Sequence, residues 1–305
     1  MEKNNVKINV LLVIIMILVI VACILSYIFF TQEKEKVEIL DEPIFSLENY
    51  PRIDGSTATL PLAEAFKANF TGTDINEVEV NHNKTHEAYV NLINGDTDLI
   101  LVTYPSEEEQ ELARENNVEL EIVPIVKEAF VFFVNKENTV EDLTLKQVQD
   151  IYSGKITNWK DLGGKDAEII AYQRPENSGS QSGMLELVMQ GIKIAEPVKE
   201  HVQASMADIV DVISDYNNKD SAIGYSYYYY LTTMYTKDSI KLLGINGVKP
   251  TYENIKNGLY DIQTAYYAVI RKDESVDSPA RKLLQAMISE RGQAVAKEAG
   301  YVQNY

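Results

Sequence analysis

From about Tyr50 to the C terminus, short apolar runs alternate with patterns that place apolar residues on one face of a helix. The segments 98–102, 121–126 and 129–134 are largely apolar, which is typical of strands covered on both faces. This alternation indicates an α/β fold, and 305 residues suffice for two compact lobes. Further predictions are a helix over 141–152, a strand over 168–172 and a helical pattern over 283–299.

The N-terminal region predicts attachment to a membrane. Residues 10–30 are an uncharged apolar run of 21 residues, and a helix of that length spans about 31 Å, close to the hydrocarbon core of a bilayer. In a second interpretation, Ile20-Val21-Ala22-Cys23 is a lipobox, so that the segment is a lipoprotein signal and Cys23 is lipidated. Both place the globular part outside the membrane. We expect an N-terminal transmembrane or signal helix within 1–30, a charged tether over 31–48 and the globular domain over 49–305.

Charge and missing motifs exclude several classes of function. The net charge of -18, without any Lys/Arg run, argues against nucleic-acid binding. One cysteine allows no internal disulfide or cysteine metal cluster, and His82 and His86 lie in no metal-ligating motif. The centre of Gly179-Ser180-Gln181-Ser182-Gly183 is Gln181, so this stretch is not a nucleophile elbow. We expect no enzyme activity, no metal and no cofactor.

Two stretches rich in Ser, Thr and Gly each precede a helical pattern. The first includes Ser56 and Thr57, with Pro61 in the first helical turn. The second includes Ser178, Gly179 and Ser180 and follows Arg174. Hydroxyls, backbone N–H groups at helix N-termini and a guanidinium are the donors that hold a small oxyanion. In an acidic chain such local donors have to replace bulk charge attraction, so the pair predicts an oxyanion site.

The segment Ile151–Gly164 reads IYSGKITNWKDLGG, a highly specific pattern. Together with the two stretches above and with shorter segments around 94–99, 222–225 and 246–258, it makes residues 50–305 resemble the substrate-binding proteins of bacterial ABC-type phosphate importers. The resemblance implies a two-lobe periplasmic-binding-protein-like fold (type 2), with lobe I over about 49–127 and 262–305 and lobe II over about 128–261. It also implies a monomer that delivers phosphate or a related oxyanion to ABC permease subunits, on the extracellular face of a Gram-positive-type cell.

The resemblance implies that Ser56 and Thr57 bind the anion from one lobe and that four residues bind it from the other: Arg174, Ser178, Gly179 and Ser180. Two segments depart from the family pattern. A turn that is rich in Gly and Ser in the family reads Lys84-Thr85-His86-Glu87-Ala88 here, and one strand ends Val102-Thr103-Tyr104-Pro105, without the Asp or Arg of some relatives. Thr85 and Thr103 are therefore secondary candidates.

Two alternatives stay open from the sequence. A degenerate family member could serve as a surface sensor or interaction module, with the tyrosines over 225–230 as its contact surface. An enzyme such as a phosphatase could use the same fold, although no nucleophile and base pair is visible.

Overall fold

The computed structural model describes residues 42–305. The strands are β1 Ile53–Gly55, β2 Leu99–Val102, β3 Leu120–Asn135, β4 Asp142–Leu143, β5 Ile170–Ala171, β6 Ala222–Tyr227, β7 Ile240–Leu242, β8 Gly244–Ile245, β9 Gln263–Arg271 and β10 Val302–Gln303. The α-helices are α1 Leu60–Thr71, α2 Thr85–Asn94, α3 Glu107–Glu115, α4 Leu145–Tyr152, α5 Gly179–Gly183, α6 Met206–Ser214, α7 Tyr252–Lys256, α8 Pro279–Ile288 and α9 Glu290–Glu298. A 3₁₀ turn at Thr57–Thr59 precedes α1, and a π turn at Met184–Met189 continues α5.

Strand β3 is the long central element, and it serves two half-sheets. Its first part pairs antiparallel with β9, ending at the Ala129–Gln263 pair. From the Phe130–Tyr227 pair onward it is antiparallel to β6, and its end also pairs with β7. Strands β2 and β1 extend the first half-sheet beyond β9, and β5 extends the second beyond β6. This arrangement is a mixed α/β fold with two lobes; the residue limits expected for the lobes stay a prediction.

The largely apolar runs of the sequence form strands that are buried on both faces. All of Leu99–Val102 and all of Phe130–Val134 are completely buried. The two runs predicted over 121–126 and 129–134 are one strand, because backbone pairing with β9 continues across Lys127 and Glu128. All four strands that pair with β3 in the described part of the chain are antiparallel to it, so its apolar runs reflect coverage of both faces rather than parallel pairing.

Local capping sets helix boundaries that the apolar pattern alone did not resolve. The helix predicted from residue 141 begins at Leu145, because Thr144 and Gln147 form a capping box while Asp142–Leu143 pairs with β8. The C-terminal pattern is split into α8 and α9 at Ser289, whose side chain accepts a hydrogen bond from the Gly292 N–H.

The compact body begins at Pro43, ahead of the expected start at residue 49. Phe45 is buried, and the N–H groups of Ile44 and Phe45 donate to the Phe70 carbonyl oxygen. The expected membrane segment over 1–30, Cys23 and most of the expected tether lie outside the described residues. Within 42–305, none of the helices has both the length and the apolar character needed to cross a membrane.

Candidate functional site

A cavity of about 380 Å³ lies where four helical segments begin. These starts are the 3₁₀ turn at Thr57, α2 at Thr85, α5 at Gly179 and α6 at Met206. Helix N-termini present N–H groups and the positive end of the helix dipole. The cavity is lined by all eight residues that the sequence singles out for ligand binding: Ser56, Thr57, Thr85, Thr103, Arg174, Ser178, Gly179 and Ser180.

Ser56 stands at the end of β1, where the chain turns into the 3₁₀ segment and α1. Its N–H donates to the Leu101 carbonyl oxygen over 2.9 Å, and its own carbonyl oxygen lies 2.8 Å from Nδ1 of His82. Gly55 permits this close packing, because a Cβ there would stand 2.4 Å from the Leu101 oxygen. Burial lowers the pKa of His82, which favours the neutral ring at this position. The Ser56 hydroxyl and the exposed Thr57 are thereby held at the cavity wall.

Lys84 and Thr85 start α2 from an unusual backbone conformation. Lys84 has φ of +72°, a left-handed value that costs a residue with a Cβ about 1–2 kcal/mol. The buried Asp54 carboxylate stabilises this turn by accepting from the Asn83 N–H at 2.7 Å and from Asn91 Nδ2 at 2.8 Å. Lys84 lines the cavity and forms no ion pair within residues 42–305.

His86, the other basic residue of this turn, is not among the residues that line the cavity. Its Nδ1 lies 3.2 Å from Oε1 of Glu109 on α3. Of the two basic residues in the turn, only Lys84 is therefore placed to contact a bound anion.

Arg174 is a buried cation fixed by neutral partners. The residue is only 8% exposed. Nε donates to the Gln203 carbonyl oxygen at 2.8 Å, and one terminal nitrogen donates to the Ala204 carbonyl oxygen at 3.1 Å. The other terminal nitrogen lies 3.4 Å from the Ser180 hydroxyl. Burial lowers the pKa of the guanidinium, and among residues 42–305 no carboxylate forms an ion pair with it.

The stretch over 178–180 forms the start of α5 as predicted. Ser178 is the N-cap and accepts a hydrogen bond from the Gln181 N–H, which leaves the Gly179 and Ser180 amides in the first turn, where helical partners are lacking. A Cβ added at Gly179 would lie 2.6 Å from the Thr85 hydroxyl and 3.0 Å from the Thr103 hydroxyl. The two sides of the cavity therefore meet at Gly179, and only a glycine allows so close an approach.

Thr103 places a hydroxyl at the cavity without giving it a partner. The residue follows β2 and is 5% exposed, and its Oγ1 is buried with no hydrogen-bond partner among the described residues. A buried hydroxyl left unpaired costs about 1–3 kcal/mol. A bound anion would satisfy it.

One helix start at the cavity was missed in the sequence. Residues 204–207 line the cavity, and α6 begins there with a capping box between Ser205 and Asp208. The Ser-x-x-Asp spacing ahead of an apolar helical pattern was the available signal. Its relation to Arg174 was not visible, because the carbonyl groups of residues 203 and 204 hold the guanidinium only after folding.

The tyrosine cluster is mostly core. Tyr225, Tyr227, Tyr229 and Tyr230 are all at most 6% exposed, so they do not form an exposed contact surface. Tyr227 and Tyr230 nevertheless line the cavity, as does Tyr266 of β9. The Tyr227 hydroxyl donates to the Gly179 carbonyl oxygen at 2.9 Å. The cluster is therefore part of the core, and two of its members also reach the cavity.

The chemistry of the lining suits binding of an anion rather than catalysis. Arg174 and Lys84 are basic, and among residues 42–305 no Asp, Glu or His lines the cavity, so a nucleophile would find no general base in this part of the chain. The residues described also contain no group of three His, Cys, Asp or Glu able to hold a metal ion. Oriented N–H groups, hydroxyls and a guanidinium can together surround a tetrahedral oxyanion.

Comparison with known proteins gives one family and a consistent set of relatives. A family model described as "PBP superfamily domain" matches residues 50–291. The phosphate-binding protein PstS of Bacillus subtilis is 34% identical over 170 residues, which span 55% of this chain and only 53% of that protein. PstS of Staphylococcus epidermidis is 26% identical over 261 residues, or 82% of this chain and 77% of that protein.

Solved structures show the same likeness. A structure from Clostridium perfringens, described as a phosphate ABC transporter substrate-binding protein with bound phosphate, is 27% identical with a TM-score of 0.65. The match covers 83% of this chain and 98% of that one. An ABC-type phosphate transport receptor from Vibrio cholerae, at 22% identity and a TM-score of 0.62 over 82% and 98% of the two chains, shares the fold.

Proposed function

The chain belongs to the PBP superfamily, and we propose that it captures inorganic phosphate, or a similar tetrahedral oxyanion, and presents it to an ABC permease. The similar proteins named above are phosphate-binding proteins and a phosphate ABC transporter substrate-binding protein. The proposal joins that relationship to the cavity described above.

The observation that carries the proposal is the buried Arg174 without a carboxylate partner. An uncompensated buried charge is costly, and a bound oxyanion would supply the missing negative charge. Its guanidinium is already held by two carbonyl groups, so little side-chain entropy remains to be lost on binding. A planar fork of donors also matches the spacing of oxyanion oxygens.

The remaining donors come from both sides of the cavity. We assign ligand contacts to the residues that line it at helix starts: Ser56, Thr57, Arg174, Ser178, Gly179 and Ser180, with Thr85, Thr103 and Lys84 as additional donors. A hydrogen bond to a charged group contributes about 1.5–3 kcal/mol net. Four or five of them would support micromolar affinity, about 8 kcal/mol, after the costs of association.

We place the binding domain on the extracellular side of the cell membrane of a Gram-positive-type bacterium, as a monomer. The support is the N-terminal apolar segment, either as a transmembrane helix or as a signal ending at Cys23. Loss of fatty-acid labelling in Cys23→Ser would favour the lipoprotein form. Retention of an uncleaved N terminus in the membrane fraction would favour the transmembrane anchor.

Titration calorimetry of the full chain in detergent tests the function. We expect saturable binding of phosphate with a micromolar or lower Kd. Buffer alone and a neutral sugar serve as controls. Absence of binding at millimolar phosphate would contradict the proposal, and the sensor alternative, which requires no transported ligand, would then take its place.

A further inference from the structure

A buried carboxyl group lies behind the cavity at the point where β3 changes partners. Glu128 is the penultimate residue of β3 to pair with β9, opposite Thr264, and Phe130 is the first to pair with β6. The residue is 2% exposed. A charge at this position therefore lies where the two half-sheets meet.

Glu128 is held by backbone groups and not by a cation. Its Oε1 accepts hydrogen bonds from the Ala129 N–H at 2.8 Å and from the Tyr229 N–H at 3.3 Å. No Lys, Arg or His within residues 42–305 forms an ion pair with it. Burial raises the pKa of this carboxyl group to about 7, so the group titrates within the physiological pH range.

The titratable groups that face Glu128 are all phenols. They come from β6 and the turn that follows it, from β9 and from the segment before β10: Tyr227, Tyr228, Tyr229, Tyr266 and Tyr301. Burial raises the pKa of each above its ordinary value, so these phenols stay neutral and Glu128 is the group that titrates near neutral pH.

The same phenols connect the carboxyl group to both sides of the cavity. Tyr227 and Tyr266 line it, with their ring centroids 5.6 Å apart, and the Tyr227 hydroxyl donates to the Gly179 carbonyl oxygen. Tyr229 stacks on Tyr301 at 3.6 Å, and the Tyr301 hydroxyl donates to the Ala58 carbonyl oxygen at 2.7 Å beside the Ser56 turn. One layer of neutral rings therefore separates Glu128 from a bound anion.

We propose that Glu128 takes up a proton from solvent when an oxyanion enters the cavity, so that this carboxyl group makes the affinity for phosphate depend on pH. The inference rests on the proposed function, since it requires an anion in the cavity. Glu128 acts as a positioning residue through charge, without touching the ligand. Its carboxylate becomes a neutral carboxylic acid, and the proton comes from the buffer.

The sign follows from repulsion between two negative charges. A bound anion raises the pKa of Glu128 further, so the anion binds more tightly to the protonated form. At an effective dielectric constant of about 20, two unit charges separated by one layer of side chains, on the order of 10 Å, shift each other's pKa by about one unit. Binding should then be about tenfold weaker above pH 9 than with a protonated Glu128. For a pKa rising from about 7 to about 8, binding takes up about half a proton at pH 7.5.

Glu128→Gln is the direct test, because an amide has the shape of the protonated acid and its oxygen can still accept from the Ala129 and Tyr229 N–H groups. We would measure phosphate binding by calorimetry from pH 5.5 to 9, in buffers of different ionisation enthalpy. The titration of phosphate itself contributes equally to both proteins. We expect equal affinities at pH 5.5, a variant about tenfold tighter at pH 9, and about half a proton less uptake by the variant at pH 7.5.

Glu186→Gln is the matched control. Burial raises the pKa of Glu186 to about 7 as well, and its charge also acts on the cavity-lining Tyr227, so this variant tests whether Glu186 rather than Glu128 takes up the proton. This control should retain the proton uptake of the unaltered chain. A protonated-acid band in the infrared difference spectrum of the unaltered chain, with phosphate minus without, gives a second readout if Glu128→Gln does not fold.

The outcomes separate the two proposals. Phosphate binding with the same pH profile in the unaltered chain and in Glu128→Gln would overturn the role of Glu128 and leave the binding function intact. Loss of the proton uptake in Glu186→Gln, or absence of the infrared band, would also overturn it. If phosphate does not bind at all, both the binding function and the role of Glu128 are wrong.

Discussion

The two sides of the cavity are built differently. On one side, Arg174 is buried, is held by two backbone carbonyl groups and stands between two helix starts at Gly179 and Met206. On the other, Ser56, Thr85 and Thr103 offer hydroxyls, and within residues 42–305 the only cation on that side is the exposed Lys84 on a left-handed backbone. The difference indicates that the Arg174 side supplies most of the affinity, while the hydroxyl side completes and adjusts the site.

The largest expected effect is that of Arg174→Ala. We expect a loss of at least about 100-fold in phosphate affinity, since about 3 kcal/mol of charge-assisted hydrogen bonding is removed. Calorimetry of the full chain measures it. Arg114→Ala is the control, because Arg114 is an exposed residue that pairs with Glu111 on α3, and it should bind as before. If Arg174→Ala binds within about tenfold of the unaltered chain, the hydroxyl side is the dominant one.

Gly179→Ala tests whether the two sides have to touch. The new methyl group would lie 2.6 Å from the Thr85 hydroxyl and 3.0 Å from the Thr103 hydroxyl, so the sides should be forced apart by a few tenths of an ångström or more. We expect phosphate affinity to fall about 30-fold, or about 2 kcal/mol, by the same calorimetry. Ser182→Ala on the same helix should change it little. Unchanged affinity in Gly179→Ala would show that binding does not need this contact.

Lys84→Gly should separate charge from backbone strain on the hydroxyl side. Glycine accepts the φ of +72° without the steric cost of a Cβ, so the free energy of unfolding should rise by about 1 kcal/mol. Loss of one exposed charge should weaken phosphate binding about fivefold, an effect that salt screens. Lys84→Ala keeps the strain and should show only the weaker binding. Denaturant unfolding and calorimetry at two salt concentrations measure both effects.

If Lys84→Gly neither weakens binding nor changes its salt dependence, Lys84 is not a ligand contact. The hydroxyl side would then hold the anion with neutral donors alone, which would make the contrast with the Arg174 side sharper.

The part of this site that depends on short-range interactions could be predicted from the sequence. The part that depends on tertiary contacts could not. Small hydroxylated residues before an apolar helical pattern located the starts of α1 and α5, since these signals are short-range: Ser178 caps α5, and Pro61 lies in the first turn of α1. The start of α6 has an equally local capping box at Ser205, but its place beside Arg174 depends on contacts across some 30 residues of chain. The burial of Glu128, which raises the pKa of its carboxyl group, was equally hidden, because the groups that surround it come from separate elements of the chain.

The smallest expected effect is the difference in affinity between phosphate and sulfate, and substitution of Thr103 should change it. Among the lining residues that the structure describes there is no carboxylate, so none of them accepts the proton of hydrogen phosphate strongly or repels a fully ionised anion. We expect phosphate and sulfate to bind within about threefold of each other at pH 7.5. Thr103→Asp should open a gap by weakening sulfate more than phosphate, and Thr103→Asn, of the same shape without charge, should not. If the unaltered chain preferred phosphate to sulfate by more than about 100-fold, hydroxyls alone would be enough to recognise the proton on hydrogen phosphate. The hydroxyl side would then be the selective half of the site.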